Sequence, residues 1–275
     1  MVEEKQINEG RIVAVCSAKG GIGKTLLSVN LAVALNKKNL NTTILDGNFQ
    51  FGDVSLAMDL QPSFTIKDVM EEMSENEIDK ESIRHYMTTH SSGVDVLATP
   101  ERPEYAELVT NDRLIKVMEL FKNQYDYVVI DTGVGIHDQT LEIIERADDI
   151  LIVTNLEMTA LKNTKLLLGT FDQLGIRHKV RLIVNRFNMD SLIKAEDITE
   201  MLDEQPISYI PNNFKLASQS LNLGIPFVIS QGHSDLSKAI FKMTEQLTSD
   251  QTKKSTKKKK RPKRWLGMSK GADGV

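Results

Sequence analysis

The sequence predicts an α/β fold, a mostly parallel, twisted sheet with helices on both faces. Three observations predict it. Short runs rich in Val, Ile and Leu alternate with longer segments of helical periodicity along 275 residues, enough chain for one large core. The runs are apolar at successive positions, as strands covered on both faces require. Several of them end in Asp or pass straight into Gly, which suits a sheet whose ligands sit beyond the carboxyl ends of its strands.

The first apolar run, Ile12-Val13-Ala14-Val15-Cys16, predicts a strand over 11–17. A glycine-rich turn follows, then a helix over 25–38. Further strands are expected at 42–46, 94–98, 126–131, 149–154, 180–185 and 207–210. Helices are expected at 111–123, 138–147, 159–174, 195–203 and 236–248. No repeat or linker interrupts this alternation before about residue 249. The expected division is a short polar segment over 1–10, one domain over 11–248 and a flexible polybasic tail over 249–275.

Composition excludes several classes. The single cysteine, Cys16, cannot form an internal disulfide or hold a metal cluster. The five histidines are scattered, without metal-ligand spacing. Residues 1–10 lack the apolar segment of an export signal, and no apolar run approaches the ~20 residues that span a bilayer. A cytoplasmic protein is expected. Charge is divided unevenly. Residues 251–275 hold ten Lys/Arg against one acid, so the net −4 splits into a +9 tail and a −13 body.

The turn reads Lys19-Gly20-Gly21-Ile22-Gly23-Lys24-Thr25, followed by Leu26 at the head of the helix. Strand, glycine-rich loop, Lys-Thr and helix together form a triphosphate cradle. Glycines let backbone N–H groups wrap phosphates, Lys24 reaches the outer ones, and the Thr25 hydroxyl can ligate Mg²⁺. Ala18 stands where the general pattern has its first glycine, and a small residue is kept. Tyr125 to Asp131 is an apolar strand ending in Asp, the expected source of a carboxylate near Mg²⁺, usually through water. Gly133 and Gly135 behind it would allow a switch segment that senses the γ-phosphate. Ile44-Leu45-Asp46-Gly47-Asn48 ends another such strand.

With Lys19 ahead of Gly20 to Thr25, the loop resembles the deviant Walker A motif of the MinD/ParA ATPases, a P-loop NTPase family of the SIMIBI type. Within it the chain is similar to the pilus-assembly branch, CpaE/TadZ, through Phe49 to Ala57, Pro100 to Glu104 and Val184-Asn185-Arg186. The resemblance spans about residues 11–247. It implies ATP and Mg²⁺ as cofactors, and a phosphate-binding loop from Lys19 through Leu26. Lys19 would cross a dimer interface to the partner's nucleotide, giving an ATP-dependent homodimer. Thr25, Asp46 and Asp131 would serve the metal, and Lys19, Lys24, Asp46 and Asn48 would be the catalytic set. Asn185 would contact the adenine ring, and Pro211 would help close the base pocket.

Two departures matter. The family's Asp-x-Asp is here Asp46-Gly47-Asn48, and Asn can hydrogen-bond a water but cannot take its proton. Slow hydrolysis is therefore expected. The family's Asp-x-Pro-x-Gly is Asp131-Thr132-Gly133-Val134-Gly135, which removes a rigid residue from the switch.

Nine of the twelve residues from Lys253 to Arg264 are basic, and Trp265, Leu266 and Met268 follow. Such a segment gains about 1 kcal/mol per basic residue beside an anionic leaflet, and Trp suits the interface. Nucleic acid competes for the same charges, and a solubilising tail is the third reading. The branch often carries a receiver-like N-terminal domain. Here the first strand is expected near Arg11, and the tail is expected to take over localisation, at the inner face of the cell membrane. The leading expectation is a nucleotide-switched factor that localises or assembles a cell-surface machine together with an unidentified protein partner. The alternative is an ATPase for partition, or for division-site or flagellar placement.

Overall fold

A computed structural model describes residues 9–258. Among them, eight strands form one sheet: β1 (Arg11–Cys16), β2 (Thr42–Gly47), β3 (Thr88–Thr89), β4 (Asp95–Leu97), β5 (Tyr127–Thr132), β6 (Asp149–Thr154), β7 (Val180–Asn185) and β8 (Pro206–Ile210). Their order across the sheet is β3-β4-β2-β5-β1-β6-β7-β8, and each pairing is parallel except β3 with β4. The helices are α1 (Lys24–Asn36), α2 (Val54–Ala57), α3 (Ile66–Glu75), α4 (Asn111–Lys122), α5 (Asp138–Arg146), α6 (Met158–Gln173), α7 (Ile198–Leu202), α8 (Phe214–Leu223), α9 (Phe227–Ser230) and α10 (Asp235–Lys258).

Alternate residues of each strand enter different cores. Val13, Val15, Ile44, Val129 and Leu151 pack with α1, α9 and α10. Ile12, Ala14, Leu45, Ile130 and Ile152 pack with α3 to α7. The uninterrupted apolar runs thus feed two layers at once. At the β1–β6–β7 seam, the buried Asp149 accepts from Arg11 and, at 2.7 Å, from Arg181 Nε, so its charge is paired twice.

Three features differ from expectation. The strand expected at 94–98 shortens to β4 and gains the two-residue edge partner β3, because pairing rather than apolar pattern makes that strand. Helices α2, α3, α8 and α9 lie outside the expected helical segments. Thr65 N–H donates to Asp68 Oδ2 (2.7 Å) at the start of α3, and Asn213 Oδ1 accepts from Leu216 N–H (3.0 Å) at the start of α8; both are capping signals visible in sequence. The last helix continues to Lys258 rather than ending at 248, since Lys, Gln and Ser there contain no breaker before Pro262. The remainder of the polybasic segment, with Trp265, lies outside the described residues.

Candidate functional site

The loop between β1 and α1 takes its shape from two glycines. Gly21 (φ +74°) and Gly23 (φ +91°) are left-handed, a backbone that side-chain-bearing residues rarely adopt. A Cβ on Gly23 would also approach Asn185 Nδ2 to 2.7 Å. Asn185 holds the loop from behind, its Nδ2 donating to Ile22 O (2.7 Å) while its Oδ1 accepts from Arg186 N–H (2.9 Å). Arg186 donates to Gly21 O from the front (3.4 Å).

Sheet register gathers the carboxylates. Asp46 lies directly opposite Asp131, which in turn pairs with Val15 just ahead of the loop. Both carboxylates are buried. Asp131 Oδ2 accepts from the Thr25 hydroxyl (2.7 Å), and its Oδ1 accepts from Ser28 Oγ (2.8 Å) and faces Lys24 Nζ (3.4 Å). Lys24 also donates to Thr132 O. Asp46 accepts from Val54 N–H (3.1 Å) and Asn48 N–H (3.3 Å), and Gly52 packs so closely that a Cβ would overlap its carboxylate. Burial, and then the neighbouring Asp131, push the Asp46 carboxyl up to about 8, against those two N–H donors and Lys24.

These donors fit Mg²⁺. A Thr hydroxyl and two carboxylates are hard oxygen ligands, and a dication would relieve the pairing of two buried acids. Among the described residues no group of three or more His, Cys, Asp or Glu could enclose a metal. When bound, Mg²⁺ would neutralise phosphate charge beside Thr25, Asp46 and Asp131.

A cleft of about 380 Å³ opens over the loop. Lys19 through Leu26 form its floor, Asn48, Asp53 and Val134 stand on its walls, and Arg186 with Phe214, Ala217 and Leu221 of α8 closes it opposite. Lys19 is ion-paired with Glu157 and donates to Thr159 Oγ1 (3.3 Å), while staying one-third exposed. That pairing holds the Glu157 carboxyl below its usual range. The Gly133–Gly135 segment touches the loop, since Gly135 N–H donates to Ser17 O (3.2 Å).

The structure thus brings Lys19 to Leu26, Asp46, Asn48 and Asp131 together at the carboxyl ends of the central strands β1, β2 and β5. Asn185 reaches the loop but stands behind it, outside the cleft wall. Pro211 follows β8, half-buried and also outside that wall. Sequence reasoning missed Ser28 on Asp131, Glu157 on Lys19 and the α8 wall with Phe214. The Asn213 cap and Gly224 stop could have located α8; the other two are tertiary contacts with no local signal.

The chain matches the family model described as AAA domain over residues 10–184. A septum site-determining protein MinD of Synechocystis sp. is 28% identical over 228 residues, covering 80% of this chain and 83% of that protein. Among solved structures, a ParA family ATPase from Chlorobium tepidum superposes with a TM-score of 0.81 at 23% identity, covering 87% of this chain and 99% of that one. The septum site-determining protein MinD from Pyrococcus horikoshii, complexed with Mg-ADP, gives 0.78 at 22% identity, covering 89% and 98%. The eight-stranded sheet with flanking helices is the fold of these P-loop neighbours.

Proposed function

We propose, from the premise that the chain belongs to the AAA-domain family and is a P-loop ATPase of the MinD/ParA type, that it is an ATP-dimerised switch that localises or assembles a cell-surface machine. One observation carries this reading. Lys19 stands at the mouth of the phosphate cleft, one-third exposed, and is held there by the exposed Glu157 and by Thr159 Oγ1 rather than by its own loop. An exposed lysine there can exchange that partner for a phosphate of a second subunit's nucleotide.

ATP would enter with its phosphates along Gly20 to Thr25. Lys24 would leave Thr132 O for the outer phosphates, and Thr25 would turn from Asp131 towards Mg²⁺. Asn48 cannot take a proton from water, so position 48 itself supplies no base; slow turnover and a long-lived ATP state are part of this reading. The CpaE/TadZ-like motifs Phe49 to Ala57 and Pro100 to Glu104 favour pilus assembly. Partition, division-site or flagellar placement is the second reading, favoured by the names of the relatives. Scoring surface pili against septum position in a deletion strain separates the two. The protein would work in the cytoplasm, peripheral at the inner membrane face through residues 251–275, with nucleic acid as the competing ligand and with a protein partner yet to be identified.

Flotation tests the switch. The full chain, Lys24→Ala and a chain lacking residues 251–275 are mixed with anionic vesicles, and fluorescent-ATP binding is measured in parallel. The full chain floats with ATP and not with ADP. Lys24→Ala loses ATP binding and flotation together, whereas the truncated chain binds ATP and stays at the bottom. Flotation indifferent to nucleotide, or retained without the tail, overturns the membrane-switch reading; flotation abolished by equimolar DNA favours nucleic acid.

A further inference from the structure

The carboxylate that this cleft presents is not at position 48 but five residues on. The segment from Asn48 to Val54 is a pinned turn. Asp46 holds both its ends, through Asn48 N–H and Val54 N–H. Thr99 Oγ1 donates to Asn48 O (3.0 Å) from the neighbouring strand end. Asn48 spends its own side chain on the turn: Nδ2 donates to Phe51 O (2.6 Å). A carboxylate at 48 could not make that bond, because it has no proton to give and would face a carbonyl oxygen. The amide at 48 is therefore a structural brace, and what it braces is the approach to Asp53.

Asp53 sits at the N-cap of α2, where Asp is favoured because its carboxylate can accept from the first turn. It makes no such bond; only its backbone carbonyl is used, by Ala57 N–H (2.9 Å). Among the described residues its carboxylate has no hydrogen bond and no ion pair, and it lines the cleft with Asn48, Lys19, Lys24 and Thr25. Asp46 and Asp131 are both buried and committed to other groups. Asp53 is the acid in the cleft wall left free to meet a ligand.

We propose that Asp53 is the catalytic carboxylate of the ATPase reaction, orienting the attacking water and taking its proton. This rests on the ATPase reading above. The water oxygen bonds to the γ-phosphorus as the bond to the β–γ bridging oxygen breaks. That electron pair leaves on ADP, and the water's proton passes to Asp53 and from there to the released phosphate. The Asn at 48 and the Asp at 53 are one arrangement: the amide fixes the turn and the acid five residues on does the chemistry.

Phosphate release, ATP affinity and affinity for ADP with aluminium fluoride are measured on the full chain, Asp53→Asn, Asp53→Ala and Asn48→Asp. The expected result is a loss in kcat of about 10²-fold in both Asp53 variants, the lower end for a general base. Their ATP affinity stays within twofold of the parent, while the transition-state mimic weakens at least tenfold. Asn48→Asp loses rate as well, since the brace is lost. Turnover unchanged in Asp53→Asn overturns the proposal, as does a loss that extra Mg²⁺ restores, which would make Asp53 a metal-side residue. A parent chain that binds ATP but never hydrolyses it overturns the proposal and leaves the nucleotide site standing. A parent chain that binds no ATP overturns the reading beneath both.

Discussion

Asp46 and Asp131 share a register position at the carboxyl ends of the neighbouring central strands β2 and β5, both out of contact with water, and they cannot both carry charge at low cost. Asp46 gives way, its carboxyl raised to about 8 chiefly by burial and then by Asp131. Its folded value lies above its unfolded one, so the native state holds the extra proton between the two. The stabilisation is full below the ordinary carboxylate range and is lost as pH rises through about 8. Thermal unfolding of the nucleotide-free protein should therefore show a midpoint that declines from pH 5 to pH 8.5. Asp46→Asn should flatten that decline whatever its effect on stability at pH 5, and Mg-ATP should flatten it in the parent by favouring the charged form. An equally steep decline in the variant would assign the effect to other groups. The two acids were legible as strand-end residues in the sequence. Their mutual pairing was not, because it depends on β2 lying next to β5, a non-local fact.

Helix α8 closes the cleft, and its end is set by Gly224 at φ +62° against the turn after α2. A Cβ at 224 would come within 2.5 Å of Asp59 Cβ and N, and the backbone would be strained besides. Gly175 is also left-handed (φ +70°), but a Cβ there meets nothing within 4 Å. Gly175→Ala should cost about 1 kcal/mol from conformation alone, and Gly224→Ala about 2–3 kcal/mol, read from urea midpoints. Equal costs would mean that the α2–α8 contact gives way freely. The long, evenly apolar elements could be read in advance because β1, β2, β5, β6 and β7 are buried on both faces. Helix α3 escaped because its apolar residues, Ile66, Val69, Met70 and Met73, form a narrow stripe among acids. The edge strand β3 escaped because two threonines carry no pattern, only a neighbour. The loop itself was fully legible, since glycines at fixed spacing before Lys-Thr are local chemistry. The wall opposite it was not, because α8 arrives from almost two hundred residues away.

At the scale of the molecule, the mouth of the cleft combines a free acid, an exchangeable lysine and exposed apolar side chains. Phe214 is 71% exposed, Val134 44% and Leu221 38%. Apolar groups clustered at a ligand mouth are unusual on a monomer surface and suit a face that a second copy covers. In a two-fold arrangement the same face meets itself, so each Lys19 would reach the other subunit's nucleotide. Leaving Glu157 costs little, because an exposed ion pair of this kind is worth about 0–1 kcal/mol. The γ-phosphate supplies the charge that replaces it, and ADP lacks that group. Light scattering on a sizing column should therefore give twice the chain mass with a non-hydrolysable ATP analogue and Mg²⁺, and one chain mass with ADP. Lys19→Ala should bind the analogue within a few-fold of the parent yet remain at one chain mass, whereas Lys24→Ala should fail at the binding step. A Lys19→Ala dimer as tight as the parent's would remove Lys19 from the interface. A dimer equally stable with ADP would mean that the apolar face, and not the third phosphate, holds the two copies together.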